Sequence, residues 1–266
     1  GSGFLYGNAG NDSLGGNGDT ALVYGGQGND YLFGNAARFF GDLDNDTIVI
    51  QGGNSADGGV GDDSIVAASS LTNPVTLLGG IGNDSIFGGA GADSIDGGAG
   101  NDVIYGGNGL DTMTGGAGND FFYFQNITSL RASTNGIGGT NPFTGVTQAS
   151  VPITLTTLDY ITDFVSGTDK IYLQASAFSN FSSLVTQNAV LSSALGSGAN
   201  SFTSVALTFG TGGFTPNGSN VQQSFIYNIS DNILYFNPDS GTGGDEVALL
   251  KLQSGATLAA SDIYIF

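Results

Sequence analysis

Five copies of a nine-residue phrase run without a gap through this chain, at 79–87, 88–96, 97–105, 106–114 and 115–123. Each opens Gly-Gly, carries a third glycine two residues later, places Asp at its sixth position and an apolar residue at its eighth. The aspartates are Asp84, Asp93, Asp102, Asp111 and Asp120; the apolar residues are Ile86, Ile95, Ile104, Met113 and Phe122. A fixed short period of this kind dictates a stack of like units, each too small to bury its apolar face alone. The phrase returns upstream at 7–15, 25–33, 41–49 and 58–66, separated by weaker units at 16–24, 34–40, 50–57 and 67–78.

Two phrases make one turn of about 18 residues. Asp12, Asp30, Asp46, Asp63, Asp84, Asp102 and Asp120 then line one edge of the stack, while the opposite edge has only Asp93 and Asp111. The tripeptide around each eighth position suits a short strand with its central side chain inward. The glycines supply backbone conformations that other residues reach only with strain. The fold class expected is all-β, a parallel β-solenoid.

The acid in this chain is positional. Net charge is −19 with four basic residues, Arg38, Arg131, Lys170 and Lys251, and Glu246 is the only glutamate. The chain is nonetheless 39% hydrophobic and 11% aromatic, so it packs rather than behaving as an acidic disordered tail. Four scattered cations cannot replace a phosphate counterion cloud, which argues against nucleic acid. No apolar run approaches the 18 or so residues of a membrane span. With no His and no Cys, the usual base and nucleophile assemblies are missing, and no enzyme is expected within these residues. A start in mid-repeat behind Gly-Ser reads as the C-terminal piece of a longer protein.

Carboxylates about 5 Å apart on successive turns repel by about 3 kcal/mol per pair at an effective dielectric near 20. A divalent cation between turns reverses that sign. Calcium takes six to eight oxygens, mixing carboxylates with backbone carbonyls, and a glycine-rich loop with a short Asp can offer both. Magnesium demands tighter geometry, and zinc or copper would prefer the His and Cys that are absent.

The phrase resembles the calcium-binding nonapeptide of the RTX family, over 7–123 with gaps and over 79–123 without one. The segment "DYITDFVSGTDKIYL" (159–173) resembles the one that follows the β-roll in serralysin-type C-terminal domains, and the final "DIYIF" resembles the ending read by type I secretion systems. The resemblance implies a right-handed parallel β-roll over 1–124 holding several calcium ions. It makes Asp84, Asp102 and Asp120 ligands on one edge and Asp93 and Asp111 on the other. Asp12, Asp30, Asp46 and Asp63 follow in the weaker turns; in the 41–49 phrase Asp42 and Asp44 replace loop residues, which makes that site either distorted or extra-acidic. Carbonyls would come from the loop glycines Gly80, Gly82, Gly89, Gly91, Gly98, Gly100, Gly107, Gly109, Gly116 and Gly118.

Beyond the repeats, 125–157 reads as an irregular linker or insertion, and 158–266 as a β-rich cap domain bearing the secretion ending. In it, 158–173 gives two strands around a Ser-Gly turn, 176–195 leaves room for one short helix, and 224–252 reads as a hairpin turning at Asp231-Asn232 followed by a third strand. Asp159, Asp163 and Asp169 either close the last turn or flank strands, and Asp239 with Asp245 either bind a further calcium or sit in a solvated loop. The run "DLDND" (42–46) fails as an EF-hand, because Thr47 replaces the required glycine and Gly53 the bidentate glutamate. Phe4, Tyr6, Phe39 and Phe40 are expected as core or packing residues. The Asn-x-Ser/Thr triplets at Asn11, Asn45 and Asn83 arise from the repeat and carry no glycosylation signal.

Three functions fit. The first is the C-terminal part of a surface-layer or other cell-surface structural protein that folds on calcium outside the cell after type I secretion. Its partners are calcium, the secretion apparatus, and either further copies of itself or a cell-surface glycan. The others are the carrier domain of a secreted hydrolase, protease or toxin, and the terminal domain of an adhesin.

Overall fold

The computed structural model describes residues 3–18, 21–124, 158–174, 189–190, 208–210, 224–228, 232–237 and 247–265. The chain forms two compact units, Gly1–Tyr123 and Phe124–Phe266. The first unit is a parallel β-solenoid of seven turns. Its strands are β1 (Phe4–Ala9), β2 (Ser13–Gly16), β3 (Leu22–Gln27), β4 (Tyr31–Gly34), β5 (Arg38–Leu43), β6 (Thr47–Ile50) and β7 (Ser55–Val60). They continue as β8 (Ser64–Ala67), β9 (Thr76–Ile81), β10 (Ser85–Phe87), β11 (Ser94–Ala99), β12 (Val103–Tyr105), β13 (Thr112–Ala117) and β14 (Phe121–Phe124). Odd strands stack in one parallel sheet and even strands in the other.

Register repeats by whole turns. Leu77 pairs with Ile95 and Ile95 with Met113 in the odd sheet; Ile65 pairs with Ile86, and Ile86 with Ile104, in the even sheet. The inward columns are Val23, Phe39, Ala56, Leu77, Ile95 and Met113 from one sheet and Leu32, Ile48, Ile65, Ile86, Ile104 and Phe122 from the other, all at most 1% exposed. Each large member contributes about 1.5–3 kcal/mol by burial. The eighth position of the phrase is thus the core position expected, and the weaker units supply most of the odd strands.

The glycine pairs occupy two settings. Gly79-Gly80, Gly97-Gly98 and Gly115-Gly116 lie inside odd strands, whereas Gly88-Gly89 and Gly106-Gly107 lie in loops. The second glycine is left-handed in both settings, with φ of 105° at Gly89 and Gly98. Asn8, Asp42 and Asp44 hold the same left-handed backbone without being glycine, at φ of 74°, 76° and 74°.

Of the four aromatic residues expected to pack, Phe39 is wholly buried. Phe40 lies on the outer face, stacked on Tyr24 at 4.7 Å between ring centroids, with the Arg38 guanidinium 4.9 Å from its centroid. Phe4 and Tyr6 depart from a core role. They stand on the terminal strand at 64% and 58% exposure, stacked on each other, with no turn beyond β1 in the described residues to cover them.

In the second unit, β15 (Asp159–Ile161), β16 (Lys170–Leu173), β17 (Ala189–Val190), β18 (Thr208–Gly210), β19 (Ser224–Asn228), β20 (Ile233–Asn237), β21 (Val247–Leu252) and β22 (Ile263–Ile265) make two sheets. One runs β15-β21-β20-β19-β18 and the other β17-β22-β16. The expected hairpin is β19 with β20, antiparallel, entered through Asn232 at φ 60°, and β21 is its third strand. Within the stretch given room for a helix, Ala189–Val190 is a strand paired with β22. A 3-10 turn, Ala260–Asp262, precedes β22, and no helix among the described residues is long and apolar enough to cross a membrane. The linker 125–157, and Asp239 and Asp245, lie outside the described residues.

Candidate metal centre

The loops from odd to even strands form the first edge. Each is three residues long and ends on an aspartate: Asp12, Asp30, Asp46, Asp63, Asp84, Asp102 and Asp120. The stack brings all seven into one column. Every Oδ1 after the first accepts the backbone N–H of the aspartate one turn earlier, from Asp12 N to Asp30 at 2.7 Å up to Asp102 N to Asp120 at 3.0 Å. On the second edge Asp93 N donates to Asp111 Oδ1 at 2.9 Å. The second column reads Ala21, Ala37, Asn54, Val75, Asp93 and Asp111, so only its last two places carry carboxylates.

The other carboxylate oxygen defines the site. Oδ2 of Asp12, Asp30, Asp46, Asp63, Asp84, Asp93 and Asp102 is buried and receives no hydrogen bond. Leaving a charged acceptor buried and unmet costs several kcal/mol. All these residues after Asp12 are at most 3% exposed. Each such oxygen is aimed at the α-carbon of the first glycine in its own phrase. A Cβ placed on Gly7 or Gly88 would stand 2.8 Å from Oδ2 of Asp12 or Asp93, and one on Gly25, Gly41, Gly58, Gly79 or Gly97 would collide with Oδ2 of Asp30, Asp46, Asp63, Asp84 or Asp102. The same spot is reached by a carbonyl of the next turn: Gly97 O at Gly79, Gly115 O at Gly97, Gly106 O at Gly88.

Burial is the largest cause of a raised pKa along both columns. It pushes Asp63, Asp84, Asp93 and Asp102 up to about 6, and Asp46 and Asp111 up to about 7. The backbone hydrogen bond each accepts works against burial, and for all but Asp93 a neighbouring carboxylate adds to the rise. No trio of acidic side chains converges among the described residues, so a cation here must draw on carbonyls as well. The donors available are oxygens only, in the mixture of carboxylate and carbonyl that calcium takes. The orphaned oxygens, the side-chain-free cradles and this donor set fit calcium.

The predicted carbonyl donors fall at the second and fourth phrase positions of both edges, and all but Gly91 are left-handed. The carbonyls of Gly80 and Gly98 face the α-carbons of Gly98 and Gly116, those of Gly82 and Gly100 face Gly100 and Gly118, and those of Gly89 and Gly91 face Gly107 and Gly109. Carbonyls of the second and fourth phrase positions therefore point along the stack toward the next turn. In the acidic turn, Asp44 Oδ2 accepts the Gly28 N–H at 2.9 Å, a role that backbone carbonyls fill elsewhere, as Ile81 O does for Gly61 N at 2.8 Å.

Two sets of residues escaped the sequence reading. The first glycine of each phrase is the cradle itself, and its signal was its constancy ahead of the aspartate. The second set is the residue before each first-edge aspartate. Asn11, Asn29, Asn45, Asp62, Asn83 and Asn101 each accept, through the side chain, the backbone N–H one turn later, at 2.7–3.2 Å. Asn11, Asn45 and Asn83 therefore spend their side chains on the ladder. In the second unit Asp169 Oδ2 accepts Val165 N at 2.7 Å, which places it in the turn before β16.

A parallel solenoid with buried carboxylate columns facing glycine cradles defines a metal-binding repeat protein. Residues 1–22, 6–38, 76–104 and 89–122 match the family model of the RTX calcium-binding nonapeptide repeat, in four copies. Over these stretches the chain carries RTX calcium-binding nonapeptide repeats, and repeats of this family bind multiple calcium ions. No curated protein matches the chain.

Proposed function

We propose that the first unit is a calcium-dependent folding module of a secreted protein, with Asp12, Asp30, Asp46, Asp63, Asp84, Asp102 and Asp120 as ligands on one edge and Asp93 and Asp111 on the other. Carbonyls of Gly80, Gly82, Gly89, Gly91, Gly98, Gly100, Gly107, Gly109, Gly116 and Gly118 complete the donor sets. The observation that carries this reading is the file of buried Oδ2 atoms with no hydrogen-bond donor. Bound calcium supplies the positive charge that lets successive carboxylates ionise side by side. The aspartates orient their oxygens through the backbone bonds across turns, and the glycines keep the cradles free of side chains. Binding free energy is then folding free energy. Where calcium is scarce the chain stays open, and where it is abundant the solenoid closes.

The role served is structural rather than catalytic. The leading reading is the C-terminal part of a surface-layer or other extracellular cell-surface protein exported by type I secretion, with a repeat unit over 1–124 and a β-rich unit over 158–266. Self-association or a surface glycan supplies the further contact. Circular dichroism and calorimetry in calcium and in chelator test the module. An equally folded chelated form at neutral pH overturns it, and a calcium-loaded form that stays monomeric and ignores surface glycans removes the surface role.

A further inference from the structure

The loop 68–75 between β8 and β9 has none of the phrase and lies outside the residues matched to the repeat family. It runs Ala-Ser-Ser-Leu-Thr-Asn-Pro-Val, eight residues where the next two second-edge loops have six. A tight turn takes up the excess, with Leu71 N donating to Ala68 O at 2.8 Å.

From Leu71 onward the backbone follows the phrase. Ala90 N donates to Leu71 O at 3.0 Å, as Asn108 N donates to Gly89 O at 2.9 Å one turn later. Val75 N donates to Asp93 Oδ1 at 2.9 Å, as Asp93 N donates to Asp111 Oδ1 at 2.9 Å. A Cβ on Gly91 would meet Asn73 O at 2.5 Å and Asp93 Oδ1 at 2.8 Å; one on Gly109 would meet Gly91 O and, at 3.1 Å, Asp111 Oδ1. Leu71, Asn73 and Val75 thus take the register places of Gly89, Gly91 and Asp93 in the next turn, although Leu71 lacks the left-handed backbone of Gly89 and its carbonyl stands 3.6 Å from a Cβ on Gly89, behind Ala68 O at 3.0 Å. The carboxylate and the left-handed glycine of the phrase are missing.

Asp93 faces both intervals. Its Oδ1 converges with Asn73 O on Gly91, and its Oδ2 converges with Gly106 O on Gly88. Asp93 is 2% exposed, and its Oδ2 receives no hydrogen bond. Leu71 O already accepts one bond, but a carbonyl has a second lone pair to give.

We propose that the loop 68–75 is half of a further calcium site, in which the backbone carbonyls of Leu71 and Asn73 and the carboxylate of Asp93 take the ion. The site rests on the calcium reading of the two columns. With one carboxylate where the Asp93–Asp111 interval has two, it is the weaker of the two, since calcium affinity follows ligand charge.

The test is the calcium count of the full chain by native mass spectrometry. Asp93→Asn combined with Asp111→Asn loses two ions from the wild-type count, one from each interval that Asp93 faces. Asn73→Ala keeps the count, since the ligand is a main-chain carbonyl. Val75→Asp also keeps the count and tightens the weakest calcium step by roughly tenfold, as a second carboxylate joins an occupied site. Loss of only one ion in the double variant overturns the proposal, as does an ion gained in Val75→Asp or lost in Asn73→Ala. Should the double variant not fold, Val75→Asp decides alone. A wild-type chain without calcium, by contrast, sinks the column reading itself.

Discussion

Replacing Asp102 by Asn separates the two jobs of a column carboxylate. Asp102 Oδ1 accepts Asp84 N at 2.8 Å, and the amide oxygen of Asn can keep that bond. Lost are the charge and the oxygen Oδ2, which meets no donor and lies against Gly97 beside Gly115 O. In the metal-free chain at neutral pH this removes repulsion with Asp84 and Asp120, about 3 kcal/mol per neighbour as an upper figure at a spacing near 5 Å and dielectric near 20. In the calcium-loaded chain, by the proposed ligand set, it removes a ligand from the intervals on both sides. Each ion at a hundredfold excess over its dissociation constant stabilises by about 2.7 kcal/mol, so two lost ions withdraw on the order of 5 kcal/mol. The variant is therefore expected to lower the urea midpoint in calcium while making the chelated chain easier to fold. Asp57→Asn is the control. Asp57 lies on the outer face of β7, its carboxyl raised by burial and then lowered by Arg38, and its loss should stay within about 0.5 kcal/mol in either condition. Urea melts with calcium and with chelator, read by circular dichroism, give both signs. A loss at Asp102 of equal size in the two conditions, or a matching loss at Asp57, refutes the reasoning.

Three further outcomes follow from the same geometry. Gly97→Ala puts a methyl into the Asp102 cradle and should cut calcium-dependent stability by about 2 kcal/mol or more, whereas Gly10→Ala meets no atom within 4 Å and is limited to backbone strain of about 1–2 kcal/mol; calcium titrations followed by circular dichroism compare them. In chelator, the column carboxyls bind protons in the folded chain up to about pH 6–7 but only to about 3.8 when unfolded. The metal-free fold is therefore most stable below about pH 4 and loses that contribution as pH rises through 6–7, while with calcium the dependence reverses because only deprotonated carboxylates bind it; a chelated form that gains structure from pH 4 to 7.5 contradicts this. Finally, Asp262 is fully buried and accepts Ser166 Oγ at 2.6 Å, Ala259 N at 2.9 Å, Gly167 N at 3.0 Å and Lys170 Nζ at 3.1 Å, contacts that hold its carboxyl below the usual range despite burial. Asp262→Ala strands those donors, at about 1–3 kcal/mol each, and should speed amide exchange in β22 at least tenfold while β11 and β13 keep their protection.

The carboxylate columns were legible because their chemistry is local. An Asp two residues before a core aliphatic, with glycines at fixed offsets, reads directly as a loop followed by a strand, and Asp84, Asp102 and Asp120 fall where the period puts them. The pairing of Leu5 with Val23, or of Asn54 with Val75, was not legible, since the weaker units share no phrase that would align them. Asn83 and Asn101 read as mere spacers because a side chain that caps the next turn's N–H reveals itself only once the turns are stacked. The second unit gave up its hairpin through Asn232, but the burial of Asp262 against Ser166 and Lys170 joins residues more than ninety apart, which no local pattern records.

The unequal turn lengths have one physical origin. The first-edge aspartates are spaced by 16 to 21 residues, yet every first-edge loop is three residues long. Nearly all the variation sits on the second edge, where the loops 35–37, 51–54, 68–75, 88–93 and 106–111 run from three to eight residues, the remainder being the one residue by which β10 and β12 are shorter than the other even strands. A column whose oxygens must meet the N–H and the cradle of neighbouring turns tolerates no insertion, because one extra residue turns the carboxylate out of file. Where the column reads Ala21, Ala37, Asn54 and Val75, nothing holds the loop to a length. Once Asp93 and Asp111 appear, both remaining loops are six residues. The carboxylate column, more than the sheet pairing, is therefore what fixes loop length. Inserting a single residue between Ala9 and Asp12 should accordingly disrupt folding in calcium far more than the same insertion within 51–54.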